Sequence, residues 1–273
     1  MPAPVAIKTV QSQKPKINVR NLSVKYHDRP NSREITAIED INLQVNENDF
    51  LVIIGPSGCG KSSLLGAIAG TVKPTQGEIV INYDSDAGED REKKTRSIAM
   101  MFQDPLLLPW RTVAKNIEFA LEPRRIPKPE REARIDRYLK MVHLEEFRDC
   151  YPRQLSGGMR QRVALCRALA VEPEILLMDE PFGALDEQTR LLLADELAKI
   201  WREVKRTIIF VTHSLSEAVY LGENIAVMTK RPGRIKEVLK VDIPRPRDFE
   251  SPHFNGLQQQ LWEKLKIEAF GSR

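Results

Sequence analysis

The chain has 273 residues, of which 41% are hydrophobic, so it can bury the core of one large domain or of a domain with a subdomain. Its 42 basic and 38 acidic residues nearly balance, and a net charge of +4 is too small and too scattered to indicate a nucleic-acid-binding surface. No apolar run reaches the about 18 residues of a membrane span, and the N-terminus lacks the apolar core of a signal peptide.

The three cysteines, Cys59, Cys150 and Cys166, show neither an even count nor paired spacing. This pattern argues against a disulfide framework and against a zinc site. We therefore expect a protein of a reducing cytoplasm.

The first 45 residues predict a lead-in followed by paired strands. Residues 1–16 carry three prolines and little periodicity, which is typical of a disordered segment. From Ile17, the stretches INVRNLSVKY and AIEDINLQV both alternate apolar and polar residues, and the polar HDRPNSRE lies between them. The alternation predicts an antiparallel β layer.

The rest of the chain alternates buried strands with helices. DFLVIIG, EILLMD and TIIFVTH are short apolar runs of the kind that forms strands buried on both faces. We predict a helix over SLLGAIAGTV that ends in a turn at KPTQGE, and a long helix at about 187–205. This order predicts a mainly parallel sheet.

Three other stretches predict two helical regions and a surface loop. Residues 112–150 have a helical pattern broken by EPRRIPKPE, and FNGLQQQLWEKLKIEAF, from about Phe254, predicts an amphipathic closing helix. YDSDAGEDREKKTR has no apolar anchor and predicts a solvated surface loop, to which we assign no function.

A phosphate-binding loop lies between the strand DFLVIIG and the helix after it. Gly55, Gly60, Lys61 and Ser62 fit the pattern G-x-x-x-x-G-K-[ST] in the strand-to-helix context that this pattern requires. Glycines let backbone amides surround phosphates, the lysine reaches the β- and γ-phosphates, and the serine hydroxyl can hold Mg²⁺. We predict that nucleotide contacts come from the whole loop: Gly55, Pro56, Ser57, Gly58, Cys59, Gly60, Lys61, Ser62 and Ser63. Cys59 is interpreted as a small filler, with a reactive thiol as the alternative.

Two acidic residues follow the strand ILLM. Asp179 and Glu180 are delivered to the edge of the sheet where α/β proteins bind ligands. Asp179 is expected to hold Mg²⁺ through its waters, and Glu180 to orient and deprotonate the attacking water. The alternative is a pair of solvated carboxylates at a strand end.

A second anion-binding device appears about a hundred residues after the phosphate loop. LSGGMRQR, residues 155–162, places a hydroxyl and two glycines directly ahead of the helical run VALCRALAV. One nucleotide site within one chain does not explain two such devices.

Together these motifs resemble the ATP-binding subunits of the ABC transporter superfamily over nearly all of Ile17 to about Arg247. GPSGCGKS resembles the Walker A loop, MMFQD the Q-loop, LSGGMRQR the signature motif, ILLMDE Walker B, GALD the D-loop and VTHS the switch-histidine loop. All six motifs occur in the family's order.

The resemblance implies a head-to-tail dimer with two composite ATP sites. Ser156, Gly157 and Gly158 would then contact the γ-phosphate held by the Walker A loop of the partner chain. The fifth signature position, more often glutamine in the family, is Met159, which we expect to alter an interchain hydrogen bond without abolishing activity.

The same resemblance assigns three further residues. Gln103 would touch Mg²⁺ or the attacking water and report the nucleotide state, although an isolated glutamine is more often a plain surface residue. His213 would contact the γ-phosphate, with a structural histidine as the alternative. Tyr26 would stack on adenine, which favours ATP only weakly, or else pack beneath the antiparallel layer.

The loop after Gln103 is the expected partner surface. Leu106 to Trp110 could be core, but in the resembled family this region receives a coupling helix of the membrane subunit, so exposed Leu and Trp side chains would mark an interface. RPGRIKEVLKVDIPRPRD, with LLPW and MDEPFGALD, resembles the importers of nitrate, sulfonate, taurine and bicarbonate.

The predicted fold class is α/β: a P-loop NTPase core with a mainly parallel sheet, an N-terminal antiparallel β layer and an inserted helical subdomain. We expect the cassette to span 17–247, the helical subdomain about 104–170 and a helical tail 248–273.

By resemblance, the cofactors are ATP and Mg²⁺, and the partners are a second ATPase chain, transmembrane permease subunits and, indirectly, a solute-binding protein, at the cytoplasmic face of the membrane. The alternatives are an exporter or membrane-remodelling ATPase, and a soluble ABC protein acting on DNA or ribosomes. Soluble relatives of that kind usually carry a long coiled-coil insertion or two cassettes, and this chain has neither.

Overall fold

A computed structural model describes residues 15–28, 33–83, 97–124 and 126–270. The predicted lead-in up to residue 14 and residues 84–96 of the predicted surface loop lie outside the described residues. Lys16, at the end of the predicted lead-in, is buried, and its Nζ lies 2.5 Å from Glu174 Oε2. The part of the chain that packs on the core therefore starts before Ile17.

The strands of the described residues form two sheets, an antiparallel and a mainly parallel one, as the sequence predicts. The small sheet has the order β2-β1-β4 and is antiparallel; the large sheet has the order β5-β6-β7-β3-β8-β9 and is parallel except for β9. Their bounds are β1 Ile17–Asp28, β2 Arg33–Val45, β3 Phe50–Ile54, β4 Gln76–Ile81, β5 Ile98–Met101, β6 Ile175–Asp179, β7 Thr207–Val211, β8 Asn224–Met228 and β9 Ile235–Lys240. The predicted α/β class, with its antiparallel layer, is confirmed.

Seven α-helices occur in the described residues. They are α1 Lys61–Ile68, α2 Val113–Leu121, α3 Lys128–Met141, α4 Gly157–Ala170, α5 Glu187–Val204, α6 Leu215–Leu221 and α7 Pro252–Phe270. None of the helices in this part of the chain combines the length and the apolarity that a membrane crossing needs.

Two predicted boundaries are wrong. We predict the first helix over residues 63–72, but α1 begins at Lys61 and ends at Ile68, because Gly70 adopts a left-handed backbone (φ 76°) that closes the helix. The stretch KPTQGE is predicted as a turn, yet Gln76 already begins β4. Gly77 there has φ 80°, and a Cβ on it would lie 2.3 Å from the Asn21 carbonyl oxygen, so β1 and β4 approach closely only because this residue is glycine.

Two apolar clusters cover the two faces of the large sheet. Along β3, alternate side chains enter different clusters: Phe50, Val52 and Ile54 face one, Leu51 and Ile53 the other. The first cluster also contains residues of helices α2 to α7, and the second contains α1 and the antiparallel layer. A strand buried on both faces explains why DFLVIIG is continuously apolar.

The closing helix α7 packs on the first cluster rather than standing apart. Phe254 and Leu261 are fully buried there, and Leu257 and Leu265 pack against it. The tail is therefore continuous with the core.

Candidate functional site

The loop from Gly55 to Gly60 joins the carboxyl end of β3 to α1. Gly58 and Gly60 both have positive φ, 72° and 107°. A Cβ on Gly60 would lie 2.5 Å from Ile38 Cγ2 and 2.7 Å from the Ala37 carbonyl oxygen, so only glycine fits against β2. Such a backbone can turn successive amides toward one bound anion at the start of a helix.

Lys61 is folded back into this loop. Its Nζ donates to the carbonyl oxygens of Gly55 at 3.0 Å and Pro56 at 3.1 Å, and the side chain is only 5% exposed. Glu180 Oε1 lies 3.8 Å from the same ammonium. A buried cation held at the loop centre is a favourable counter-charge for phosphates.

The Cys59 side chain fills space beneath the loop. It is 1% exposed, and a Cβ on Gly55 would lie 2.9 Å from its Sγ. Burial raises the pKa of the Cys59 thiol, which disfavours the reactive thiolate. These contacts agree with its interpretation as a filler.

Ser62 and Asp179 lie together although 117 positions separate them in the sequence. Burial raises the pKa of the Asp179 carboxyl, and a hydrogen bond from the Ser62 side chain opposes that shift. A hydroxyl and a carboxylate are oxygen ligands of the kind that a hard cation prefers.

Glu180 and His213 follow the neighbouring parallel strands β6 and β7. Glu180 Oε2 lies 3.2 Å from His213 Nδ1, and the Glu180 amide donates to the Val211 carbonyl oxygen at 3.0 Å. Glu180 has a left-handed backbone, φ 45°, which is uncommon for a residue other than glycine. The structure thus brings Lys61, Glu180 and His213 into one cluster.

Gln103 lies beside the D-loop, which begins at Gly183. A Cβ on Gly183 would be 3.3 Å from Gln103 Nε2 and 3.3 Å from the Glu180 carbonyl oxygen. The Gln103 backbone oxygen accepts a hydrogen bond of 2.8 Å from Nε2 of the buried Gln161, on α4. The predicted Q-loop is therefore adjacent to both the D-loop and the signature helix.

Tyr26, near the end of β1, is exposed beside the phosphate loop. Its side chain is 43% exposed, and its hydroxyl donates to Ser63 Oγ at 3.1 Å. The alternative of a tyrosine packed beneath the antiparallel layer is wrong. Its role as a stacking platform for adenine stays a prediction.

The signature residues form the start of α4 and lie against α5. Ser156 is the N-cap, and its Oγ accepts from the Met159 amide at 3.3 Å. A Cβ on Gly158 would meet Thr189 Cγ2 at 2.7 Å. Within the described residues, no hydrogen bond or ion pair joins 155–162 to the phosphate loop of the same chain. Within one chain, the structure therefore does not bring the signature segment 155–162 to the phosphate loop.

The loop after Gln103 has a polar support and an apolar exterior. Asn116, fully buried on α2, accepts from the Leu108 amide and donates to three carbonyl oxygens of residues 108–112. Arg167 of α4 donates to the carbonyl oxygens of Pro105 and Leu106. The loop is thus held to the two helices beneath it.

This support leaves large apolar side chains outside. Trp110 is 72% exposed and Leu106 53%. The alternative that these two residues belong to the core is wrong.

A buried ionic contact beside the switch histidine was not predicted. Glu217 of α6 accepts a hydrogen bond from the Thr212 hydroxyl and lies 3.5 Å from Arg190 Nε on α5. Burial raises the pKa of the Glu217 carboxyl. The one signal for it was a glutamate within the largely apolar helix LSEAVYL.

Comparison with known proteins places these features in a family. A family model described as ABC transporter matches residues 38–183. The chain is 47% identical, over 97% of both chains, to an uncharacterized ABC transporter ATP-binding protein of Methanocaldococcus jannaschii.

Two further relatives carry more specific names. An aliphatic sulfonates import ATP-binding protein of Bacillus licheniformis is 43% identical over 90% of this chain and 94% of the relative. A taurine import ATP-binding protein of Roseobacter denitrificans is 38% identical over 94% of this chain and 90% of the relative.

Among solved structures, a dimeric ATP-binding cassette in a post-hydrolysis state bound to ADP and Pi matches with a TM-score of 0.70. It is 35% identical and is covered over 98% of its length, against 82% of this chain.

Proposed function

This chain belongs to the ABC transporter family and is an ATPase, and on that premise we propose that it powers the import of a sulfonate or a related small oxyanion across the cytoplasmic membrane. The observation that carries the role in ATP hydrolysis is the cluster in which the Glu180 carboxylate lies between Lys61 and His213 beside the phosphate loop. The import names of the sulfonate and taurine relatives support the direction and the solute class.

ATP binding follows from the charges and amides of the loop. The backbone amides from Gly55 to Ser63, together with the start of α1, would surround the phosphates, and Lys61 would exchange its carbonyl partners for phosphate oxygens. Tyr26, exposed beside Ser63, is available to stack on the base.

Hydrolysis is assigned to Glu180 with His213. A carboxylate at the end of β6 can accept a proton from water and direct the oxygen toward the γ-phosphate. His213, within hydrogen-bonding distance of that carboxylate, would hold it in place and contact the same phosphate. Gln103, beside Gly183, would complete the water site.

The residues beside the phosphate loop fit magnesium. Burial raises the pKa of the Asp179 carboxyl while a hydrogen bond from the Ser62 side chain lowers it, and the Gln103 amide oxygen would add a third hard ligand of the kind that Mg²⁺ prefers. When bound, Mg²⁺ would neutralise charge on the phosphates during transfer.

The signature motif indicates that the working unit is a dimer of two ATPase chains. Ser156 accepts a hydrogen bond from its own helix, so its hydroxyl proton remains available for a phosphate oxygen. In a head-to-tail pair this group and the start of α4 would face the ATP of the partner. ATP would then favour the closed dimer, and its hydrolysis would remove that preference.

The exposed Leu106 and Trp110 fit the surface that receives the transmembrane permease. The loop that bears them follows Gln103 directly, and Gln161 ties the Gln103 backbone to the signature helix. Closure of the dimer would therefore move this surface together with the ATP site. The chain would act at the cytoplasmic face of the membrane, and a solute-binding protein would deliver the solute to the permease.

Reconstitution of the whole transporter tests the proposal. The chain is assembled with its permease subunits and binding protein in proteoliposomes, and ATP hydrolysis is measured with taurine, an alkanesulfonate, nitrate or bicarbonate. We expect a sulfonate to stimulate hydrolysis and to accumulate inside, with a Glu180→Gln complex as the inactive control. Outward movement, or hydrolysis indifferent to all four solutes, would contradict import of this class.

A further inference from the structure

The helix that follows the switch histidine is too short to hold its own position. Helix α6 has seven residues, Leu215–Leu221, and starts two residues after His213. Isolated helices of this length are unstable in water, so tertiary contacts must determine where α6 lies. Strand β7, on the other side of His213, is fixed because it lies between β6 and β3.

The start of α6 is anchored to the switch loop itself. Ser214 Oγ accepts from the Glu217 amide at 3.3 Å, and the Ser214 amide donates to Thr212 Oγ1 at 2.9 Å. His213 therefore lies between two residues that are tied to α6. A tilt of α6 would therefore move the backbone that carries the His213 side chain.

The end of α6 is held by two arginines from beyond the last strand. Arg247 is 6% exposed and donates from Nη1 to the carbonyl oxygens of Val219 at 2.8 Å, Tyr220 at 2.9 Å and Gly222 at 2.6 Å. Arg245 donates to the carbonyl oxygens of Tyr220, at 3.2 Å, and Leu221. The last carbonyl oxygens of a helix lack partners within it, and cations are favourable at that end.

An aromatic stack adds to this contact. Phe249 lies parallel to Tyr220, with ring centroids 4.3 Å apart at 8°, and the Tyr220 hydroxyl donates to Asp195 on α5. Phe254 packs edge-on against Phe249 at 5.2 Å and connects the stack to α7. Burial lowers the pKa of Arg247 to about 10, which still leaves the guanidinium charged at neutral pH.

We propose that Arg245, Arg247 and Phe249, which we term the tail clamp, are positioning residues for ATP hydrolysis: they hold α6 and thereby direct His213 at Glu180. This inference rests on the proposed role of His213 in hydrolysis. Among the described residues, no hydrogen bond or ion pair joins the clamp to the phosphate loop or to Glu180, and the clamp lies in the segment IPRPRDF, to which neither the cassette motifs nor the site assigned a role. A displacement of about 1 Å at a catalytic group can cost on the order of 100-fold in rate, so a distant anchor can matter.

Steady-state hydrolysis by the full-length chain gives the first test. Arg247→Met removes the donors but keeps an unbranched side chain, whereas Arg247→Lys keeps a charge and part of the bonding. We expect kcat of Arg247→Met to fall on the order of tenfold while KM for ATP changes less than about twofold, and Arg247→Lys to recover part of kcat. An equal loss through KM would contradict a positioning role.

A double-mutant cycle with His213→Ala gives the second test. If the clamp acts through His213, Arg247→Met should change the residual single-turnover rate of His213→Ala less than about twofold. A similar fractional loss in both backgrounds would show that the clamp only supports the fold, and would overturn the proposal. Phe249→Leu, which removes the stack but no polar donor, provides the same cycle if Arg247→Met does not fold.

A matched control separates stability from positioning. Val45→Ala removes buried methyl groups on β2, in the cluster on the opposite face of the sheet, and should lower stability without lowering kcat. The rate of the wild-type chain distinguishes a failure of the proposed function from a failure of the clamp proposal. A wild-type chain that does not hydrolyse MgATP overturns the proposed function, whereas an active wild type with an equally active Arg247→Met overturns the clamp alone.

Discussion

Glu180 Oε2 and His213 Nδ1 lie 3.2 Å apart across the ends of two adjacent parallel strands. The contact exists because Asp179 pairs with Val211 at the ends of β6 and β7, which brings the residues that follow these two strands to the same edge of the sheet. Lys61 lies 3.8 Å from the other carboxylate oxygen of Glu180. Three residues from three distant motifs therefore lie in one cluster, and the mechanism follows from their separate roles.

The composite-site arrangement predicts complementation between two inactive variants. Lys61→Ala removes the cation of one chain's phosphate loop, and Ser156→Ala removes the hydroxyl offered to the partner's ATP. In a mixed dimer both defects fall in the same composite site, so the other site is intact. We expect each homodimer to trap almost no nucleotide and the mixed dimer to trap one per pair, measured by rapid filtration.

The control for Ser156→Ala is another N-cap. Thr112 caps α2 by accepting from the Lys115 amide at 3.4 Å, as Ser156 caps α4. Thr112→Ala should lose a similar about 1 kcal/mol of cap stability yet trap nucleotide normally. If mixing Lys61→Ala with Ser156→Ala restores nothing, the head-to-tail arrangement is wrong.

The exposed loop predicts a defect in assembly. Trp110→Ala removes the largest exposed apolar side chain of the loop Leu106 to Trp110, and because the ring has little intramolecular burial the melting temperature should change little. We expect copurification with the permease subunits to fall at least tenfold, as for a central interface aromatic. Trp262→Ala, at a half-exposed tryptophan of α7, is the matched control and should assemble normally. Equal copurification of both variants would show that the permease binds to another surface of the chain.

The Tyr220 phenol predicts a specific alkaline instability. Burial raises the pKa of Tyr220 from 10.0 to about 12, and the hydrogen bond to Asp195 is the second-largest cause of this increase. The folded state therefore holds this proton more tightly than the unfolded state, and the stability it contributes is complete below pH 10 and is lost as pH rises toward 12. Tyr220→Phe should lower the unfolding free energy at neutral pH by about 1 kcal/mol and lose less between pH 10 and 12.

Urea unfolding at several pH values checks this expectation. Tyr151→Phe, at a tyrosine 40% exposed, should follow the wild-type curve throughout. Parallel curves for Tyr220→Phe and the wild type would show that Tyr220 does not carry the alkaline loss.

The fold was largely predictable because its signals are local. The continuous apolar run of β3 and the alternation in β1 and β2 are set by burial on two faces or on one, and each is visible within a few residues. Gln76 and Gly77 were predicted as turn because glycine there serves a close strand approach, which depends on the Asn21 carbonyl of a distant strand.

The residues of the site likewise include some that the sequence predicts and some that only the fold reveals. Lys61 and Glu180 were predicted from short motifs whose chemistry requires fixed spacing, and His213 was predicted from the family resemblance. Arg247 was not, since its function depends on three carbonyl oxygens more than 24 residues away, and nothing in RPRD distinguishes a buried guanidinium from a solvated one. Buried polar contacts between distant segments are set by tertiary structure, so they leave little trace in a single sequence.

The measurement that tests the central claim most directly is sedimentation of full-length Glu180→Gln with and without MgATP. Glutamine keeps the size of the side chain but cannot accept the proton of the attacking water, a change that should lower turnover about 10²- to 10⁴-fold and leave ATP binding intact. We expect a monomer without nucleotide and a stable dimer with MgATP, as two composite sites close on uncleaved ATP. A chain that binds MgATP and remains monomeric would contradict the claim that Ser156 and the start of α4 grip the partner's nucleotide.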